Sequence, residues 1–191
     1  MNPSPPNSPE LATMLAELSW RRGTFRLASG RSSDFYVDVK QTVMTAPGAR
    51  LLGSLICDRL VHHGIQLVGG MAVGAVPLLT AALVEAAGRN YPLDGFFVRR
   101  QAKDHGTESL IEGRFDPALR IALVEDVVTS GGSTLTAIEE VEKAGAKVSL
   151  VVTVVDREEN QGMERLGQAV ATVETLSTRS LIIAAGNPRS G

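Results

Sequence analysis

The run Ile121-Ala122-Leu123-Val124-Glu125-Asp126-Val127-Val128-Thr129-Ser130-Gly131-Gly132-Ser133-Thr134 constrains the fold more than any other part of the chain. Four consecutive apolar residues, Ile121 to Val124, suit a strand covered on both faces, because a half-exposed strand alternates apolar with polar. Two carboxylates follow, and then a glycine pair that opens a helical pattern from Ser133 to Ala144. A buried strand that passes through a tight turn into a helix is the repeating unit of a parallel α/β sheet, and such sheets bind ligands outside the carboxyl ends of their strands.

The rest of the sequence repeats that unit. Ser8 as N-cap with Pro9 at the first helical position predicts a helix running to about Arg22. Thr24 to Ala28 and Phe35 to Val39, around Ser29-Gly30-Arg31-Ser32, predict an irregular hairpin outside the main sheet. Thr45 can cap a second helix carrying Leu51, Leu52, Leu55, Ile56 and Leu60 at helical spacing, with Gly64 placed to end it. Strand and helix then alternate: strand Leu67 to Gly70, helix Val76 to Ala87, strand Gly95 to Arg99, a long polar loop, strand Ile121 to Glu125, helix Ser133 to Ala144, strand Lys147 to Val155. The expected class is α/β with crossover helices.

A chain of 191 residues with 43% hydrophobic content is expected to form one domain. Its 19 Lys and Arg against 21 Asp and Glu, spread without blocks, argue against a nucleic-acid-binding protein. Cys57 stands alone and reads as a small buried hydrophobe, so no oxidising compartment is indicated. Residues 1–9 carry Pro3, Pro5, Pro6 and Pro9 without a basic or apolar leader and read as a disordered tail. The uncharged stretch Gly64 to Val84 is long enough to suggest a membrane span, but Gly69, Gly70, Gly74 and Pro77 divide it into a buried strand, a turn and a covered helix. No membrane partner and a cytoplasmic address are expected. His62 and His63 fall at a helix C-terminus, where they suit the local dipole, and Trp20 is assigned to core packing.

The turn after Asp126 has the makings of an anion site. Glycines let successive N–H groups converge on one anion, and the helix N-terminus adds roughly half a positive charge. The run is neither a Gly-Lys-Ser/Thr phosphate loop nor a Gly-x-Gly-x-x-Gly dinucleotide turn. Acids beside a phosphate are costly unless they hold hydroxyls or a metal, and vicinal ribose hydroxyls are natural partners for Glu125 and Asp126. The implied ligand is a ribose phosphate.

A hydrophobic strand, an acidic pair and a Thr/Ser-Gly-Gly loop resemble the signature of the phosphoribosyltransferases that use 5-phosphoribosyl 1-diphosphate (PRPP). The segment Arg99-Arg100-Gln101-Ala102-Lys103-Asp104-His105-Gly106 is similar to the lid of the orotate phosphoribosyltransferases. The likeness extends to Phe25-x-Leu-x-Ser-Gly30, Phe35-Tyr36, Gly70-x-Ala-x-Gly-x-x-Pro77 and Val155-Asp156-Arg157. It implies a type I phosphoribosyltransferase fold, a central mainly parallel sheet flanked by helices with a small N-terminal hood over about residues 10–40. It also implies transfer of phosphoribosyl from PRPP to orotate, giving orotidine 5′-monophosphate and diphosphate.

The resemblance distributes the work as follows. PRPP would be held by Glu125, Asp126, Val127, Val128, Thr129, Ser130, Gly131, Gly132 and Ser133, with Arg99, Arg100, Lys103 and His105 from a flexible lid over about residues 100–114. Lys103, His105 and Asp126 would be catalytic. Thr129 and Arg157 would hydrogen-bond orotate, whose planar carboxylate suits a guanidinium fork. Phe35 and Tyr36 could stack on the pyrimidine, although an aromatic pair in a strand is more often packing. Magnesium would arrive through PRPP, with no metal ligand assigned to a side chain. In the family the lid reaches the neighbouring subunit's site, which implies a homodimer. Physically, cations brought in by a closing loop suit the charge that grows on a departing diphosphate. Gly69-Gly70-Met71-Ala72-Val73-Gly74 corresponds to the family's pyrophosphate loop, and as a bare feature a tight turn explains it equally well.

Two departures stand out: several relatives carry a lysine where Ala28 and Gly74 stand here, and Arg26 or Lys40 are the available substitutes. The rival readings are a phosphoribosyltransferase for another base, such as a purine, and a non-catalytic PRPP sensor that binds nucleic acid. The Lys103-Asp104-His105-Gly106 lid argues against the first, the charge balance against the second.

Overall fold

A computed structural model describes residues 8–26, 32–101 and 110–186. Helix α1 (Pro9–Leu18) leads into β1 (Trp20–Arg26) and β2 (Ser32–Val37), an antiparallel pair separate from the main sheet. A single helical turn, α2 (Lys40–Val43), precedes α3 (Ala46–His62). The chain continues as β3 (Leu67–Gly69), α4 (Ala75–Gly88), β4 (Asp94–Val98), β5 (Ile111–Gly113), β6 (Ile121–Val128) and α5 (Gly132–Lys143). It closes with β7 (Val148–Asp156), α6 (Gly162–Ala169), β8 (Thr172–Thr178) and α7 (Arg179–Ala185). Six strands form one sheet in the order β5-β4-β3-β6-β7-β8, parallel except for the antiparallel β4–β5 edge pair.

The expected α/β class and mainly parallel sheet are therefore present. Residues Ile121 to Val124 of β6 are all buried, and they alternate between two cores. Ala122 and Val124 pack with Leu52 and Ile56 of α3 and Leu78 of α4, whereas Ile121 and Leu123 pack with Ile138 and Val141 of α5 and Leu166 of α6. This double cover explains why the strand has no polar alternation. The helix starts follow their capping signals: the Leu11 amide donates to Ser8 Oγ at 3.2 Å and the Gly48 amide to Thr45 Oγ1 at 3.1 Å. The uncharged stretch from Gly64 divides into β3, a turn and α4, and no helix among the described residues is long and apolar enough to cross a membrane.

Several expected boundaries are corrected. Helix α1 stops at Leu18 rather than near Arg22, because Trp20 pairs with Val37 and Arg22 with Phe35 across the β1–β2 ribbon. The stacking of Trp20 on Phe35, with ring centroids 4.5 Å apart, outweighs the helical propensity of the segment. Strand β6 runs on to Val128 rather than ending at Glu125, so Asp126 lies within it as well. The polar loop is narrower than 100–114: Ile111–Gly113 form β5, with Phe96 opposite Gly113 and Val98 opposite Ile111. Elements α6, β8 and α7 have no counterpart among the elements expected from the sequence. Strand β8 is tied to the end of α3, since Glu174 forms an ion pair with Arg59 Nε at 3.0 Å and a hydrogen bond with His63 Nε2 at 2.6 Å. His63 thus acts as a partner for Glu174 as well as lying at the end of α3.

Candidate active site

The carboxyl ends of β3, β6, β7 and β8 bring the chemistry together. Glu125 is buried, and Thr134, in the first turn of α5 and also buried, donates its hydroxyl to Glu125 Oε2 at 2.7 Å. Burial, reinforced by the hydrogen bond and charge of Asp126, pushes the Glu125 carboxyl up to about 8. In the ligand-free protein Glu125 therefore holds a proton at neutral pH. Asp126 is half-buried and accepts the Val127 amide on Oδ1 at 2.9 Å.

The turn that follows is braced from behind. Gly131 takes φ 74°, the left-handed conformation that favours glycine, and so lets the chain leave β6 and enter α5 within three residues. Gly132 and Ser133 are exposed at the start of α5, where the first helical amides have no partner within the helix. Arg165 of α6 donates to the Ser130 carbonyl at 2.8 Å, and the Thr129 carbonyl lies so close to Gly162 that a Cβ there would stand 2.6 Å from it. Val127 is half-buried beside this turn, but the Val128 side chain lies in the core and its carbonyl accepts the Arg157 amide at 3.0 Å. Any contact of Val128 with a phosphate is thereby limited to its own amide.

The glycine loop after β3 faces the same acids. The Ala72 amide donates to the Val98 carbonyl at 2.8 Å, which fixes the loop to β4. Gly74 sits against Asp126, whose carboxyl atoms a Cβ on Gly74 would meet first. Lys40 pairs with Asp38 at 2.7 Å. That hydrogen bond raises the Lys40 pKa, and the negative charge of Asp126 adds to the effect. Of the two substitutes for the absent lysines, Lys40 is thus within electrostatic reach of Asp126.

At the other end of the site Arg157 is buried. Its Nη2 donates to Ser33 Oγ at 3.0 Å and pairs with Glu159 Oε2 at 3.2 Å, while its Cζ stands 4.2 Å from the Phe35 ring centroid. The stacking role for Phe35 is corrected here: it is 2% exposed, stacked on Trp20 and covered by guanidinium groups, so its ring is a floor and not an open platform. Tyr36 is 39% exposed, with its ring 5.5 Å from that of Phe25.

Arg99 and Arg100 stand at the start of the loop between β4 and β5. Arg99 is half-buried and pairs with Glu112 across the hairpin at 3.1 Å, and Arg100 is exposed. Lys103 and His105 lie outside the described residues, as do Ala28 and the Ser29-Gly30 turn. Sequence reasoning missed Thr134, Arg165, Ser33 and Glu159, each of which buttresses a group it had found. A hydroxyl nine residues after Glu125, within the first turn of α5, was the available signal for Thr134.

No family model matches the chain. Among curated proteins it is 45% identical over 153 residues to an orotate phosphoribosyltransferase of Bradyrhizobium sp. (strain BTAi1 / ATCC BAA-1182), covering 78% of this chain and 83% of that one. It is 41% identical over 172 residues to an orotate phosphoribosyltransferase of Sorangium cellulosum, covering 88% and 89%. Among solved structures, Mycobacterium tuberculosis H37Rv orotate phosphoribosyltransferase in complex with PRPP superposes with a TM-score of 0.73 at 30% identity, over 91% of this chain and 97% of that one.

Proposed function

The chain belongs to the orotate phosphoribosyltransferase family, and on that premise we propose how its residues divide the transfer of phosphoribosyl from PRPP to orotate, which yields orotidine 5′-monophosphate and diphosphate. The observation that carries the reading is the acid pair at the end of β6, one carboxyl buried on Thr134 and the other set against Gly74, immediately before the left-handed Gly131 turn. Displacement at the anomeric carbon passes through a cationic, oxocarbenium-like ribose. Asp126 and Glu125 hold the ribose hydroxyls, and the Asp126 carboxylate balances that charge. The amides of residues 129–133 take the 5′-phosphate, and Arg157 with Thr129 receives orotate. Lys103 and His105, with Arg99 and Arg100, carry the departing diphosphate, and Lys40 supports the side of the site where Gly74 offers no charge. The N1 proton of orotate leaves as the N1–C1′ bond forms, and the departing diphosphate, itself a base, can take it, so no side-chain general base is needed.

Among the described residues no three metal-ligating side chains come together. The hard carboxylate oxygens of Asp126 suit a magnesium ion that enters on the substrate's own oxygens. When bound, the ion supplies neutralising charge to the diphosphate. The homodimer reading is supported by an apolar face formed by the end of α2, the next residue Met44, and α4, where Met44 is 74% and Val84 69% exposed beside Val43, Pro77 and Ala81. A cytoplasmic address accords with the single buried Cys57.

The reading is tested by an acceptor panel of orotate, uracil, adenine and hypoxanthine with PRPP and magnesium. Orotate is expected to be the preferred acceptor by at least about 10²-fold in kcat/KM, because a site with unpaired guanidinium donors penalises bases that lack the carboxylate. Preference for a purine would overturn the reading.

A further inference from the structure

The base end of the site holds more positive charge than the Arg157 assignment uses. Strands β7 and β8 are parallel neighbours with Asp156 opposite Thr178, so the next residues, Arg157 and Arg179, leave the sheet side by side. Both turn onto one ring: the Cζ atoms stand 4.2 Å and 4.6 Å from the Phe35 centroid. Attraction to the ring face stabilises each cation modestly, but two guanidinium groups over one buried ring repel each other in a poorly solvated place.

The surrounding acids answer only one of them. Glu159 pairs with Arg157 at 3.2 Å. Glu158, which follows Arg157 directly in the chain, is engaged by Ser180, whose amide donates to Oε2 at 2.9 Å and whose hydroxyl donates at 2.5 Å. No carboxylate among the described residues pairs with Arg179. Three buried donors at this spot also have no acceptor: Arg157 Nε, Arg179 Nε and the hydroxyl of Ser177, which lies two residues before Arg179 on β8. Arg157 is 4% exposed, so its Nε is far from bulk water. Unsatisfied buried N–H groups on two cations, balanced by a single carboxylate, call for one small anion with planar acceptor geometry.

We infer that Arg179 is a second guanidinium for the carboxylate of orotate, acting beside Arg157 and setting the preference for a carboxylated pyrimidine. The assignment rests on the transferase reading given above. It gives the site a cation at its base end in a chain that has Ala28 where several relatives carry lysine. Phe35 then acts as a support, its ring holding both guanidinium planes in place beneath the acceptor.

The experiment compares wild type, Arg179→Gln and Arg179→Lys in steady-state transfer to orotate, with uracil as a carboxylate-free competitor. Loss of one charge-assisted hydrogen bond should raise KM for orotate in R179Q by about 10- to 100-fold. KM for PRPP should change by less than about threefold, inhibition by uracil should stay the same, and R179K should recover part of the loss, since a carboxylate still finds a cation there. An orotate KM in R179Q within about twofold of wild type overturns the assignment while leaving the transferase reading intact. Equal rises in both KM values with a lowered melting temperature would make Arg179 a structural residue and overturn it as well. A wild-type protein that does not use orotate overturns the transferase reading, and the role of Arg179 with it.

Discussion

A Cβ atom built on Gly74 would stand 2.6 Å from Asp126 Oδ2 and 2.8 Å from Oδ1, so the glycine loop and the carboxylate are in direct contact. The absence of a side chain at residue 74 is therefore what lets Asp126 keep its position. Backbone strain is not the issue, because Gly74 has helical angles, φ −58° and ψ −41°. Gly74→Ala should leave the fold intact and turn the carboxylate aside. We expect kcat/KM to fall by about tenfold or more, the scale of a misplacement near 1 Å, with a melting temperature within about 2 °C of wild type. Wild-type activity in this variant would show that Asp126 does not depend on the contact.

Glu125 makes ligand-free stability depend on pH in a defined direction. Its carboxyl is raised from the ordinary 4.5 to about 8 by burial and by Asp126. Between those values the folded chain holds a proton that the unfolded chain has released, so this contribution to stability is fully present below about pH 4.5 and is lost as pH rises toward 8. Glu125→Gln keeps an acceptor for Thr134 and removes the titration. Thermal melts at pH 5 and pH 8.5 should show the wild type falling by about 5 °C or more relative to E125Q. Parallel profiles for the two proteins would contradict the raised pKa.

Lys103 is assigned to the departing diphosphate on the strength of the lid resemblance. Lys103→Ala should lower turnover by roughly 10²- to 10³-fold, the scale of removing one preorganised charge stabiliser. The melting temperature of the ligand-free protein should be unaffected. Unchanged turnover would remove Lys103 from the mechanism.

The apolar face around Val84 tests the homodimer. Val84→Glu places a charge on an exposed residue of α4 and should leave the monomer folded. Light scattering at micromolar concentration should report a dimer for wild type and a monomer for V84E, with activity lost in parallel if lids are exchanged between subunits. A dimeric V84E, or a fully active monomer, would contradict this arrangement.

Much of this site could be read from the sequence because its signals are local. Ile121 to Val124, the acids and the glycine pair lie within one strand, turn and helix start, where apolar runs and backbone demands are written residue by residue. What escaped depends on contacts between distant segments. Trp20 continues a helical pattern, and only its stacking on Phe35, fifteen positions away, turns it into a strand. Ile111-Glu112-Gly113 is too short to show a period, and it becomes a strand by pairing with β4. Arg179 follows a strand of mixed polar and apolar residues, Thr172 to Thr178, that no buried run announces. Phe35 resembles an exposed stacking aromatic until the guanidinium groups above it are seen.

The most direct test of the account is the loss of orotate absorbance when purified protein meets orotate, PRPP and magnesium, measured for wild type and Asp126→Asn. The account predicts a steady, magnesium-dependent loss for wild type and a rate lower by about 10²-fold in D126N, because the cationic ribose loses its counter-charge. No loss with wild type, or equal rates in the two proteins, would contradict it.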